Sequence, residues 1–420
     1  MSETSQKLIS LDQIKNSTVL VRTSFDIPSS NDIERILDAI PTIKQLLAQN
    51  NKLIICTKWG KIKEKLEINE MQNHPKSTSK LIQILNQEIQ KINLESNLKN
   101  KNDNSQNNSQ NNSTNNPISV IYINQFGFDF ETLAKNLAQM YFSINSKTIV
   151  LLENTHFDER EKSKNSVERM EIAGEYAKLA DYFVDEAFAS SHRKEVTNTE
   201  IKEIMPFAFG LSYTNEVKNL EKLKKPQKPF VILMGGAKLE TKLPLLEKLL
   251  PIADKILVAG LLAFTFIRAA NLNAQKINQK TDLPKIFDSM VEEDFVKCAQ
   301  ELLLKYPEKI ILPGDFVYDE IIKNEKNLKL ACDIGDKTIT KFSDEIKNAR
   351  SLFWNGPMGF FEKKPFDKST HQIAEIITNN KNCYSVLGGG DTNSALGKEI
   401  LAKFSFVSMA GGATLDFLSR

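Results

Sequence analysis

At 420 residues, with 41% hydrophobic and 26% charged side chains, the chain exceeds what one core usually holds, and two α/β-sized domains are expected. A formal charge of +2 gives no global attraction to nucleic acid or to a membrane surface, so partners must be read from local sites. Cys56, Cys298, Cys332 and Cys383 form no C-x-x-C pair, and MSETSQKLISL lacks the apolar stretch of a signal peptide, so a reducing, cytoplasmic location is expected.

Short runs rich in Val, Ile, Leu and Phe predict strands at 18–22, 53–57, 120–123, 148–152, 182–185, 230–234, 255–258, 309–312, 351–354 and 385–387. Stretches at helical period between them predict helices that include 33–49, 79–91, 131–139, 167–179 and 213–224. Such alternation builds mostly parallel sheets. From 97 to 116 runs a segment of Asn, Ser, Gln and Lys that buries too little apolar surface to offset its ordering entropy, and it is expected to be a disordered surface insertion. Pro206 and Gly210 precede a charged helical stretch and a new strand, which predicts domains at 1–210 and 211–405 and a short terminal segment at 406–420. The apolar run 256–267 is well short of the ~20 residues a membrane span needs and reads as buried core.

Four glycine turns carry the chemistry of the second half. In LGGGDTNSAL a strand meets Gly388, Gly389 and Gly390, followed by Asp391 and Thr392 at a helix start. Backbone N–H groups there can approach phosphate oxygens and Asp391 can hold Mg²⁺, although an N-capped structural turn is the alternative. Asn393 occupies the third glycine position of a G-x-G-x-x-G pattern, and the chain has no Walker A sequence, which disfavours a dehydrogenase or a P-loop enzyme. LMGGAKLETK places Lys238 and Lys242 four residues apart, on one face if helical, where two cations suit a polyanion and a solvated basic face is the alternative. FWNGPMGFFE predicts a tight turn at Asn355, Gly356 and Pro357, with Glu362 available to ribose hydroxyls. VSMAGGATLDFL repeats the plan around Gly411 and Gly412. Ligands of open parallel sheets gather outside the carboxyl ends of the strands, so the four turns together suggest a nucleotide-phosphate pocket.

VLVRTSFDIP, ERILDAIPTI, VLLENTHF, DEAFASSHR, MGGAKLETKL, AGLLAFTF, LPGDFV, DIGDKTI, WNGPMGFFE, GGGDT and MAGGATLDFL occur in order over nearly the whole chain, and the series resembles phosphoglycerate kinase. The resemblance implies two Rossmann-like, doubly wound domains with mostly parallel sheets, joined by a helix and hinge. It further implies reversible phosphoryl transfer between 1,3-bisphosphoglycerate and ADP on hinge closure, giving 3-phosphoglycerate and ATP. By the same resemblance Lys242, Glu362, Gly389, Gly390, Asp391 and Thr392 would hold the nucleotide and its Mg²⁺, with Asn355 and Pro357 shaping the pocket. Arg35 and Lys238 would face the phosphoryl group in flight, helped by backbone N–H groups around Gly390 and Gly411.

The acid-substrate side would be formed by Ser24, Phe25, Asp26, Arg35, Lys58, Trp59, Gly60, Lys61, His156 and Arg193, and here the chain departs from the family pattern. Ser24 and Asp26 replace Asp-x-Asn, the run Lys58, Trp59, Gly60, Lys61 replaces His-x-Gly-Arg, and His156 replaces the Arg of Asn-x-Arg-Phe. The charge set still sums to +3, four cations (Arg35, Lys58, Lys61, Arg193) against Asp26, as in the family. Ala259-Gly260-Leu261 stands where the family has a triple glycine. A kinase of the same fold with a changed acid substrate, and a non-catalytic nucleotide-binding protein, stay open as alternatives. The expected partners are a phosphorylated acid and Mg-ATP or Mg-ADP, with no nucleic acid, no membrane and a monomeric state.

Overall fold

A computed structural model of the chain describes residues 7–26, 33–60, 62, 65–91, 118–127, 129–143, 148–237, 239–276, 292–323 and 329–420. The expected insertion at 97–116, Lys61 and Lys238 lie outside the described residues. Contacts divide the chain into two compact units, Met1–Glu216 and Val217–Arg420, and the helix Leu211–Lys224 spans the division.

The first unit is built on β1 (Thr18–Thr23), β2 (Lys52–Thr57), β3 (Ser119–Ile123), β4 (Thr148–Leu152), β5 (Tyr182–Asp185) and β6 (Phe207–Phe209). All pair in parallel, in the order β3-β4-β2-β1-β5-β6. The inner strands are apolar on both faces, as a parallel sheet covered by helices requires. Val19, Val21, Leu53, Ile55, Ile149 and Leu151 enter one core, where the helix Glu34–Ala48 adds Ile36, Ala39, Ile43 and Leu46. Leu20, Ile54, Val150 and Phe183 enter the other, covered by Leu133 and Leu137 of the helix Phe130–Ser143 and by Ile172 and Tyr176 of the helix Ser166–Ala177.

The second unit repeats the plan with β7 (Phe230–Met234), β8 (Lys255–Val258), β9 (Ile310–Ile311), β12 (Ser351–Asn355), β13 (Tyr384–Gly388) and β14 (Phe406–Ser408), all parallel in the order β14-β13-β12-β7-β8-β9. Between β9 and β12 an antiparallel ribbon, β10 (Phe316–Lys323) with β11 (Lys329–Ile334), departs from the expected βα alternation. Its strands lack a continuous apolar run, because a ribbon outside the main sheet need not be buried on both faces. The apolar run 256–267 is buried as expected but serves two elements: β8 ends at Val258 and the helix Gly260–Lys276 begins at Gly260. The break is set by Gly260, whose φ of +58° and close approach to the Gly236 nitrogen leave no room for a Cβ. Segment 406–420 supplies β14 and the helix Gly412–Ser419, which packs on the helix Leu239–Leu249.

In both sheets the order reverses beside the first strand. The chain goes from β1 to β2 on one side and returns on the other with β5, and β7 is likewise flanked by β8 and β12. The carboxyl ends of β1 with β5 and of β7 with β12 are therefore topological switch points, where crevices form.

Glu186, directly after β5, shows how the first unit ends. Its buried Oε1 accepts from Thr42 Oγ1 (2.9 Å) and from the Ser212 N–H (2.9 Å) in the first turn of the helix Leu211–Lys224. Oε2 stands where a Cβ on Gly210 would fall, so a larger residue there would displace this carboxylate. Burial pushes the carboxyl up to about 8 in spite of these bonds. With an unfolded value of 4.5, the stability it contributes is complete below that pH and is lost as pH rises through about 8. Glu186→Gln keeps the acceptor and removes the ionisation. In urea unfolding the variant should match the parent at about pH 4.5 and exceed it at about pH 9 by on the order of a few kcal/mol; equal stability at both would refute this account.

Candidate active site

At the switch point of the first sheet the loops leaving β1, β2 and β4 are tied to one another. Thr57 Oγ1 accepts from the Phe25 N–H (3.0 Å) and donates to the Thr23 carbonyl (3.1 Å). Asp26 spans the gap: Oδ1 accepts from the Gly60 N–H (2.9 Å) and Oδ2 lies 3.2 Å from Lys58 Nζ. Gly60 has φ +69° and abuts the Lys76 side chain, so this N–H is presented by a backbone that favours glycine. Asn154, after β4, holds the same loop by accepting from the Trp59 N–H (3.1 Å) and donating to the Trp59 carbonyl (2.8 Å).

The electrostatics follow from burial. Burial pushes the Asp26 carboxyl up, but Lys58, Arg35 and the Gly60 N–H outweigh it and hold the group below the usual carboxylate range. Lys58 is buried, and desolvation lowers its ammonium although Asp26 opposes the shift. Behind it Arg22, fully buried in β1, donates Nε to Thr197 Oγ1 (2.7 Å) and a second N–H to the Thr23 carbonyl, with Nη2 3.5 Å from Glu195 Oε2. Glu195 accepts from Asn198 Nδ2 (3.2 Å) and lies 3.1 Å from His156 Nε2 and 3.7 Å from Arg193 Nη1. Burial alone would raise its carboxyl, but the bond from His156, then Arg22, His156 charge and Lys58 bring it to about 2.

In the second unit, β7 and β12 deliver two glycine turns to one place. The Gly235 N–H donates to the Asn355 carbonyl (2.9 Å) and the Gly236 N–H to the Pro357 carbonyl (2.9 Å). A Cβ on Gly235 would lie 2.1 Å from the Pro357 oxygen, and one on Gly356 2.2 Å from the Gly235 oxygen. Beneath them the ammonium of Lys242, a buried residue, donates to the Gly235 carbonyl. Thr392 Oγ1 accepts from the Gly356 N–H (2.8 Å) and Asn355 Nδ2 donates to the Gly388 carbonyl (3.0 Å), which links the third turn to the first two. Trp354 Nε1 fastens the turn from below by donating to the Gly356 carbonyl (2.7 Å). Beside the turns lies a cavity of about 330 Å³ whose apolar walls include Leu261, Phe264, Phe316, Leu330 and Phe361, with Glu362, Asp391 and Pro357 also on its lining. Its size and apolar character suit a nucleoside.

Ser24, Asp26, Lys58, Trp59, Gly60, His156 and Arg193 thus stand on loops that leave the carboxyl edge of the first sheet, and Arg35 follows on the first turn of the helix Glu34–Ala48. Phe25 differs: its ring is fully buried in the core, so only its main chain can serve a ligand. Lys242, Asn355, Pro357, Glu362, Gly389, Asp391 and Thr392 gather around the second switch point, and Gly390 and Gly411 lie at the starts of the helices Gly390–Ala395 and Gly412–Ser419. Sequence reasoning missed Arg22, Glu195 and the apolar walls Phe264 and Phe316. A lone arginine inside the apolar strand TVLVRT was a usable signal for Arg22. Nothing local marks the others, which meet only through the fold.

A model of the phosphoglycerate kinase family matches residues 9–116 and 116–420. The phosphoglycerate kinase of Fusobacterium nucleatum is 33% identical over 434 residues, covering 98% of this chain and 96% of its own, and that of Mycoplasma genitalium is 31% identical over 439 residues, covering 98% and 95%. Among solved structures, phosphoglycerate kinase from Coxiella burnetii superposes with a TM-score of 0.73 at 26% identity, covering 98% of this chain and 96% of that one. Two doubly wound units, glycine turns meeting at a switch point, and a match that runs nearly end to end lead to one conclusion: the chain belongs to the phosphoglycerate kinase family.

Proposed function

We propose that this chain transfers a phosphoryl group reversibly between 1,3-bisphosphoglycerate and ADP, giving 3-phosphoglycerate and ATP, a step of glycolysis and gluconeogenesis. The observation that carries the reading is the crossing of Gly235–Gly236 with Gly356–Pro357 over the buried Lys242, beside an apolar cavity of nucleoside size. Neither a changed acid substrate nor a non-catalytic role gains support from the comparisons.

In this reading the cavity takes the nucleoside, Glu362 accepts ribose hydroxyls, and Lys242 with the N–H groups at Gly389, Gly390 and Thr392 holds the phosphates. Asn355 and Pro357 keep the turns in register. Asp391, an exposed carboxylate at the start of the helix Gly390–Ala395, fits Mg²⁺, which takes one or two protein carboxylates and fills its other positions with phosphate oxygens and water. When bound, the ion offsets charge on the nucleotide phosphates. Lys58, Lys61, Arg193 and His156 hold the phosphorylated acid, with Ser24, Asp26, Trp59 and Gly60 shaping its site. Arg35, Lys238 and the N–H groups around Gly390 and Gly411 stabilise the equatorial oxygens of the group in transfer. The protein acts as a cytoplasmic monomer; among the described residues no helix is long and apolar enough to cross a membrane.

ATP-dependent phosphorylation of 3-phosphoglycerate, coupled to consumption of the acyl phosphate, tests the assignment. Robust turnover is expected, and Arg35→Ala should lower kcat/KM by about 100-fold or more. Mg-ATP binding without turnover would overturn it. Lys242→Met removes a charge-assisted contact of about 1.5–3 kcal/mol, so the KM for ATP should rise about 10- to 100-fold while that for 3-phosphoglycerate stays within about twofold. A parallel rise in both constants would place Lys242 in general stability instead.

A further inference from the structure

His156 carries two ring nitrogens with different fates. The ring is 4% exposed; Nε2 lies 3.1 Å from Glu195 Oε1, while Nδ1 is buried and has no hydrogen-bond partner among the described residues. The hydroxyls of Thr155, its neighbour in the chain, and of Ser24, just after β1, are likewise buried with no partner among the described residues. Unmatched buried polar atoms are uncommon in folded proteins, and several at the carboxyl edge of one sheet point to a ligand that satisfies them.

Glu195 stays ionised, so it accepts, and Nε2 must carry the proton. In the neutral ring that leaves a bare lone pair at Nδ1, which repels an anionic oxygen. Once protonated, Nδ1 becomes a charged donor and attracts it. The groups facing the pair come from every neighbouring element: Arg22 of β1, Glu161 and Lys162 of the turn after β4, Lys58 of the β2 loop, and Arg193 beside Glu195; burial pushes the Glu161 carboxyl up to about 8, so it adds little negative charge near pH 7. Burial lowers the imidazole, and the bond to Glu195 opposes that shift. The free site is therefore neutral at His156 near pH 7, and a bound anion draws a proton onto it.

We infer that Glu195 is a positioning residue of the acid-substrate site, holding the His156 ring so that Nδ1 meets the phosphorylated acid and couples its binding to uptake of one proton. The inference rests on the function proposed above. It also accounts for a residue with the wrong charge beside an anion site: Glu195 weakens the local field yet makes a histidine serve where a guanidinium would otherwise be needed.

Three measurements test it. With Glu195→Ala the KM for 3-phosphoglycerate should rise about 10-fold at pH 7 while the KM for ATP stays within about twofold. Glu195→Gln, which keeps the acceptor but not the charge, should recover part of that loss. The ratio of variant to parent KM should grow as pH falls from about 7.5 to about 6, because only the parent gains a donor; taking the ratio cancels the ionisation of the substrate phosphate. Independently, the His156 imidazole, assigned by His156→Asn among the four histidines, should titrate at a higher pH by NMR when 3-phosphoglycerate is added, and this shift should vanish in Glu195→Ala. A parent that turns over 3-phosphoglycerate while KM and the titration ignore Glu195 overturns this inference alone. A parent that binds Mg-ATP but does not turn over 3-phosphoglycerate overturns the function and the inference together.

Discussion

A parallel sheet cannot be built from tight hairpins, because each strand needs a crossover before the next, and so every turn that leaves a strand opens on the same edge. Both six-stranded sheets of this chain obey that constraint. It brings Asp26, Lys58 and His156, scattered over 130 residues of sequence, to one edge of the first sheet, and Gly235, Asn355 and Gly389 to one edge of the second. Cores back the first sheet on both faces, and another packs on the face of the second sheet that carries Val231, Leu233 and Trp354.

Where the turns of the second unit meet, contact is made by main chain rather than side chain. Gly235 and Gly356 approach so closely that either Cβ would overlap a carbonyl, and Gly236, Gly356 and Gly389 hold positive φ. Glycine brings backbone N–H groups to the surface without a side chain in front of them, which phosphate binding requires. The buried Trp354 and Lys242 fasten this main chain by bonds to the Gly356 and Gly235 carbonyls, which keeps the turns rigid without adding bulk.

The first unit solves a different problem with charge. Among the described residues three of its cations, all buried or half-buried, have a carboxylate in reach: Lys58 has Asp26, and Arg22 and Arg193 have Glu195. Unpaired burial of those cations would be costly, and full neutralisation would remove the attraction for an anion. One buried carboxylate serving Arg22, Arg193 and His156 leaves an excess of positive charge. The chain departs from the family pattern at Ser24, Asp26, Lys58, Lys61 and His156, and two of these replacements, Asp26 and Lys58, pair with each other. Altered residues that contact each other are what a site retuned as a unit would contain.

The sequence alone determined the alternation of strands and helices, the positions of the central strands to within a residue or two, and the glycine turns, because apolar period and glycine content are local properties that folding must respect. The ordered family resemblance made the candidate nucleotide residues legible for the same reason. Only the tertiary structure decided that Phe25 belongs to the core, that an antiparallel ribbon interrupts the second half, that Asp26 pairs with Lys58, and that Glu195 reaches His156 and Arg22. Those outcomes depend on which side chains share a sheet edge after crossovers of tens of residues, and on burial that sets whether a carboxylate or an imidazole holds its proton; neither is written in the spacing of residues along the chain.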